Sequence, residues 1–259
     1  MRQIITRRNA LGLMAGVPLL AAGPAFAARP AVISRLMDEA KPLPRVSQRI
    51  DLISGRLLGM RYRANTLIGS PTSPEQFVIR DDVFDCVTFC EVVLAAAIAR
   101  DIGQFETVLR RIRYDQGKVQ YDHRNHYFAD WCKNNVENGI CRPIPIEPSS
   151  VVDKVVTWHQ EFPKRRVSMH VIDQATLLAS ARLLAPGDII GFASRRPGLD
   201  YYHTGFIAFS RQGELMLRSA SLSHGRVLDE RMTNFVTANP VKYVTLLRAA
   251  EGAPVVERN

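Results

Sequence analysis

The 259-residue chain carries 34 Lys and Arg against 25 Asp and Glu, a formal net charge of +9, with 46% hydrophobic residues and four cysteines. The basic residues form no stripe interleaved with aromatics, which argues against a nucleic-acid-binding surface, and there is no internal repeat or low-complexity tract. What remains is a globular chain long enough for one domain with a substantial core.

The chain opens with a charged segment, Met1 to Asn9, followed by an uncharged Ala-, Leu- and Gly-rich run that ends Ala25-Phe26-Ala27. A charged start, a short apolar run and a small-x-small end are the parts of an export signal, so residues 1–27 are expected to be removed, leaving 28–259 as a single domain. Gly12, Gly16, Pro18, Gly23 and Pro24 break the run, which is short for a membrane span, so no lasting anchor is expected. Thr6-Arg7-Arg8 with Leu11 is similar to a twin-arginine signal, although Ala10 and Gly12 depart from it. The expected destination is the bacterial periplasm. The three arginines lost with the segment lower the net charge to +6.

In chain order, Ala31 to Met60 reads as helix broken at Pro42 and Pro44, and residues 64–76 as a loop. Phe77-Val78-Ile79 reads as a short strand. From Cys86 an unbroken run reaches Ala99 with apolar positions at helical spacing, and Asp85 is placed to cap it. Phe105 to Arg113 is a second amphipathic helix. A dense mixture of aromatic, imidazole and charged residues follows from Tyr121 to Trp131. Then come a Pro-rich connector at 142–150, an apolar stretch from Val151 to Trp158, a solvated basic loop at Lys164-Arg165-Arg166, and a helix near Ile172 to Leu184. After Pro186-Gly187-Asp188 the pattern turns to strands: 189–192, 203–209, 214–219, around Val227, and 243–247. Helices first and strands after predict an α+β fold, a helical lobe packed on an antiparallel sheet or small barrel.

Asp85 as cap puts Cys86 in the first turn, where the positive end of the helix favours thiolate, the nucleophilic form. The competing reading of an isolated Cys is a small buried residue. Among six histidines, His203 is the strongest partner because it opens a strand after a turn, with Gly205 allowing close approach behind it. A helix-start Cys followed by a distant strand-borne His is the papain-type plan of nucleophile and base. Cys90, one turn on, reads as core, and Cys132 with Cys141 are candidates for a disulfide in an oxidising compartment.

The segments FDCVTFCE, IRYDQGKVQYDHRNHYFADW, PGDIIGF and LDYYHTGFIAF, in that order, resemble the N-acetylmuramoyl-L-alanine amidase-like family of NlpC-type, papain-like cysteine hydrolases. The resemblance runs from about Gly59 to the C-terminus. It implies the papain-like NlpC-type fold, Cys86 as nucleophile and His203 as base. Ser219 stands where relatives carry the third, ring-orienting group, with His224 and Asp200 as local alternatives. It also implies substrate contacts from Tyr62, Asp85, Arg124 and His126, with Tyr62 near the oxyanion and Arg124 on a stem-peptide carboxylate. The implied substrate is peptidoglycan or a muropeptide, cut at the amide joining N-acetylmuramic acid to L-Ala through a thioester, without metal or other cofactor. Two rivals stand beside this reading: a stem-peptide endopeptidase cutting after D-Glu, and an idle wall-binding module. A zinc site at His123, His126 and Asp130 is a further alternative, weakened by the lack of an adjacent Glu base.

Overall fold

The computed structural model describes residues 30–252, apart from Trp158 and Pro240. The segment read as an export signal lies outside the described residues. The architecture is mixed α+β, with helices on a curled half-barrel sheet. Helices α1 (Ala31–Ala40) and α2 (Val46–Arg56) are separated by the expected break at Pro42 and Pro44. Four short strands follow, β1 (Arg61–Tyr62), β2 (Ile68–Ser70), β3 (Ser73–Gln76) and β4 (Val83–Phe84). Then come α3 (Cys86–Ile98), α4 (Ile102–Arg113) and α5 (Phe128–Glu137). The C-terminal half contains β5 (Cys141–Pro143), β6 (Ser150–Val156), β7 (Arg165–Asp173), α6 (Gln174–Ala179), β8 (Ile189–Ala193), β9 (Tyr201–Phe209), β10 (Leu215–Ser221), β11 (Arg226–Arg231), α7 (Met232–Ala238) and β12 (Tyr243–Ala249).

Neighbouring strands run in the order β4, β1, β11, β10, β9, β8, β12, β7, β6, with β5 also paired to β12 and β2–β3 a separate hairpin. Pairing is antiparallel except where β1 lies parallel to β4. That parallel pair sets Tyr62 beside Phe84, one residue before the Asp85 cap.

Helix α3 is the centre of the core. Every residue from Thr88 to Ile98 is buried, and apart from Thr88 and Glu91 all of them are apolar, as a helix enclosed by protein requires. Phe89 packs edge-on against both Phe84 and Phe206 of β9. On the other face of the sheet, α7 closes a second apolar cluster containing Phe192, Ile207, Leu217 and Phe235.

Three local expectations are corrected. Residues 77–79 are not a strand: the Val78 carbonyl accepts from Arg113 Nη1 (2.6 Å) and Phe77 lies under the Arg110 guanidinium, so the pairing lies earlier, in β2 and β3. Arg165 and Arg166 open β7 instead of sitting in a loop, each exposed and paired with an aspartate, Asp130 and Asp153 respectively. The helix expected from Ile172 starts at Gln174, because Ile172 and Asp173 finish β7 and Asp173 caps α6 through the Thr176 N–H. Helix α7 was not foreseen.

Glu91, on α3, is 2% exposed and faces Arg113 Nε at 2.7 Å. Burial nevertheless pushes the Glu91 carboxyl upward, with Arg113 opposing. Removing the cation would strand a buried acid. Arg113→Met is therefore expected to lower unfolding free energy by about 3 kcal/mol, measured by urea denaturation, with the loss shrinking at acid pH where Glu91 takes a proton.

Candidate active site

Asp85 Oδ1 accepts the N–H of Val87 (3.1 Å), the N–H of Thr88 (2.8 Å) and the Thr88 hydroxyl (2.9 Å). The Asp85 N–H is paired with Thr88 Oγ1 at 3.0 Å, which closes a capping box. The helix therefore begins at Cys86, as the sequence predicts, and the half-buried thiol projects from its first turn.

What the thiol meets is decided by the sheet. Strand β9 pairs with β8 along its length, but its pairing with β10 ends at Phe206–Arg218. Ile207 sends its N–H to the Asp188 carbonyl on the β8 side, so by alternation the Thr204 N–H points to the other side, where β10 has drawn away. Cys86 occupies that gap. Its sulfur is favoured as thiolate by the N–H groups of Thr204, Cys86 and Val87. One turn on, Cys90 Sγ lies 3.9 Å from Thr204 Oγ1, which itself donates to the Ile190 carbonyl at 2.8 Å.

His203 is the residue before Thr204. Its Nε2 lies 2.9 Å from Ser219 Oγ across the splayed strands. The half-buried ring is stacked on Phe192 and Phe235. Among the described residues no hydrogen bond joins the Cys86 sulfur to either ring nitrogen; Nε2 is paired with Ser219, and Nδ1 has no partner among them. The alternatives for the third position are occupied elsewhere. Asp200 Oδ2 accepts the Ala129 N–H (2.7 Å) at the start of α5, and His224 Nδ1 lies between Ser221 and Ser223. Gly205 is required by this packing, since a Cβ there would meet the Arg218 carbonyl at 2.6 Å and Ser219 Cβ at 2.8 Å.

The electrostatics differ from the thiolate expectation. Burial first, and the Asp85 charge second, push the Cys86 thiol up to about 12. Burial lowers His203 to about 4. At neutral pH the resting pair is thiol and neutral imidazole. Tyr62, half-buried, is raised to about 12 by burial and then by the charges of Cys86 and Asp85, so its hydroxyl remains a donor close to both.

The other candidates are placed away from such freedom. Arg124 Nη1 already binds Glu75, at 3.0 and 3.1 Å, and its guanidinium covers the Tyr121 ring. His126 Nε2 donates to the Tyr121 carbonyl at 2.6 Å, with its ring against Tyr121, His159 and Phe162. His123 lies in a 3-10 turn near Asp115, His126 outside any helix and Asp130 on α5 paired with Arg165. Among the described residues no three His, Cys, Asp or Glu side chains are arranged to hold a metal. Cys132 and Cys141, the candidate disulfide pair, are free thiols. The Thr204 N–H and the Phe192–Phe235 stack were missed. A backbone donor leaves no mark in a sequence, and Phe235 sits on the unforeseen α7.

A family model described as AmiA-like, N-acetylmuramoyl-L-alanine amidase-like, matches residues 52–244. The chain belongs to the N-acetylmuramoyl-L-alanine amidase-like family. Similar solved structures include an N-acetylmuramoyl-L-alanine amidase from Bacteroides uniformis, with a TM-score of 0.70 and 24% identity over 80% of this chain and 99% of that one. A Legionella pneumophila protein superposes with a TM-score of 0.74 and 20% identity over 85% and 94% of the two chains. Another crystal structure of a B. uniformis N-acetylmuramoyl-L-alanine amidase has a TM-score of 0.67 and 26% identity, over 76% and 97%. No curated protein matches significantly. The matched region of this amidase-like chain spans both Cys86 and His203.

His203 and His126 are both lowered from 6.5 to about 4, chiefly by burial. Between those values the unfolded chain binds protons that the folded chain excludes, so stability falls as pH falls. The melting temperature is expected to drop on acidification from pH 6.5 to 4, and less steeply in His203→Gln.

Proposed function

We propose that this chain is an exported, periplasmic cysteine amidase of the papain-like NlpC type that hydrolyses the bond between N-acetylmuramic acid and L-Ala in peptidoglycan or its fragments. The observation carrying this reading is the Cys86 sulfur set against the Thr204 N–H, one peptide from a histidine whose far nitrogen is held by Ser219. Membership of an amidase-like family supports the substrate class.

In this reading Ser219 Oγ accepts the Nε2–H of His203, which fixes the tautomer with a bare Nδ1 as base. As the Cys86 sulfur attacks the lactyl carbonyl carbon, its proton passes to Nδ1. The carbonyl π electrons move to oxygen, and the oxyanion is met by the Cys86 N–H and the Tyr62 hydroxyl. The Val87 and Thr88 N–H groups are engaged by Asp85 and contribute less. Collapse breaks the C–N bond while the imidazolium protonates the L-Ala nitrogen, which leaves as an amine. Water, deprotonated by the same Nδ1, then attacks the thioester, releasing the muramic carboxylate and restoring the thiol. Uncharged resting partners make this general-base chemistry, with the proton moving during attack and no ion pair formed beforehand. The stacked Phe192 and Phe235 limit where the ring can swing. Arg124, tied to Glu75, and His126, tied to Tyr121, contribute to substrate contact through the surface they shape.

Defined muramyl peptides incubated with the protein and read by mass spectrometry are expected to give free N-acetylmuramic acid and intact peptide. A released dipeptide would assign the chain to the stem-peptide endopeptidases instead. Cys86→Ala is expected to abolish turnover with the melting temperature retained; unchanged turnover would remove the thiol from the mechanism. Ser219→Ala is expected to lower kcat by up to roughly 100-fold, the scale of a base misplaced by about 1 Å, with little change in KM.

A further inference from the structure

The row of the sheet that ends at His203 begins with two arginines. Arg61 of β1 lies directly opposite Arg226 of β11, and Arg226 directly opposite Ser221 of β10. The β9–β10 register, carried on past its last pair, Phe206 and Arg218, sets Ser221 level with His203. Side chains of one row share a face of the sheet, so both arginines stand on the face that carries His203 and Ser219. Tyr62, the next residue, is on the other face, against the core round α3. The Tyr62 N–H donates to the Gly225 carbonyl and the Val227 N–H to the Met60 carbonyl, both at 2.8 Å. These bonds flank the two arginines without joining them, which makes theirs the narrow kind of antiparallel pair, with side chains closest together. Two like charges so placed repel, and among the described residues neither guanidinium has a hydrogen bond or an ion pair to offset it. Asp82, which feels the charge of Arg61, is bonded by Arg80 at 2.9 and 2.6 Å. Asp85 is taken up by the α3 cap and Asp229 by Arg218. Glu230, the remaining acid of β11, is four residues along the strand from Arg226, about 13 Å away. Both arginines are exposed, so neither guanidinium is part of the core. Arg124, the cation expected to meet a substrate carboxylate, is by contrast already held by Glu75.

We propose that Arg61 and Arg226 form a clamp for a carboxylate of the stem peptide, carried by its second or third residue. This rests on the reading of the chain as a hydrolase of muramyl peptides, and it names the group by which the site holds them. A guanidinium meets a carboxylate through two parallel N–H bonds, and one carboxylate set between two arginines turns their repulsion into attraction. Distance selects the residue. Arg61 is opposite Val83, three residues before Cys86, which is about 10 Å along β4. Arg226 is two strands from His203 in their common row, again about 10 Å. An extended peptide covers that span in about three residues, and the arginine side chains reach part of the way. The stem residues at that distance, D-Glu and the diamino acid, each keep a carboxylate free. The stem therefore runs from Cys86 over the ends of β1 and β11, and a muramyl compound ending at L-Ala lacks the group that the clamp holds.

Equilibrium binding tests the clamp apart from catalysis. The full chain carrying Cys86→Ala, which holds substrate without turning it over, is titrated by calorimetry with a muramyl tripeptide and with two forms of it, amidated at D-Glu or at the diamino acid. Arg61→Gln and Arg226→Gln, added singly, are each expected to weaken tripeptide binding about tenfold or more, the worth of a hydrogen bond to a charged group. Melting temperatures should be unchanged or raised, since each substitution removes a repulsion. Amidation of the recognised carboxylate should weaken binding to the chain with both arginines and make little further difference to the variants; the amide that does so identifies the stem residue. Undiminished affinity in the variants, a loss of equal size on all three peptides, or indifference to both amides would overturn the clamp. Cleavage of the tripeptide by the wild-type chain is read separately. Arginine-dependent binding with no cut at the muramic amide would remove the amidase reading and leave the clamp. A cut there with no arginine dependence would remove the clamp alone.

Discussion

The three bonds to Asp85 Oδ1 decide where α3 begins, and the position of everything reactive depends on that start. A helix starting one residue later would rotate the cysteine by about 100° and carry its sulfur away from β9. The body of the same helix is immovable for a separate reason: it is enclosed by apolar side chains on all sides, and the buried Glu91–Arg113 pair ties it to α4 and to the loop through Val78. A capped end on a buried shaft is a rigid way to aim one sulfur.

The sheet supplies the complementary feature, a place where pairing stops. Had β10 stayed with β9 beyond Phe206, the Thr204 N–H would have a carbonyl partner and no room for a sulfur. Splaying exposes that donor and leaves His203 and Ser219 facing each other across the opening, linked through side chains at 2.9 Å in place of a backbone ladder. Close packing at Gly205 holds the two strands together just before they part. A concavity of about 520 Å³ lies elsewhere, between α2 and Arg218, and the arginine in its lining is already bonded to Asp51, Ser54 and Asp229. Size alone does not locate this chemistry.

How much of this the sequence disclosed follows from the range of each interaction. The Asp85 cap acts over three residues, so a helix starting at Cys86 was legible. The strands read at 189–192 and 203–209 were legible from apolar runs bounded by Pro-Gly-Asp and Arg-Pro-Gly turns; the first runs one residue further, to Ala193, and the second starts two residues earlier, at Tyr201. Ser219 as the neighbour of His203 came from family resemblance, because no spacing rule predicts a bond between residues 16 apart on splayed strands. Long-range competition was invisible. Nothing local to Val78 announces that Arg113 will take its carbonyl, or that Glu75, 49 residues away, will claim Arg124. The thiolate expectation failed for the same reason: the helix end was counted, while burial and the charge of its own cap were not.

The proposed mechanism requires the Cys86 sulfur and His203 Nδ1 to come face to face across the opening beside Thr204. A crystal structure resolving both side chains tests it most directly. The account predicts Sγ and Nδ1 within about 4 Å, with Nε2 still on Ser219. A ring held against Phe192 and Phe235 with β9 backbone standing between it and the sulfur, in the presence of bound muramyl peptide, would contradict it.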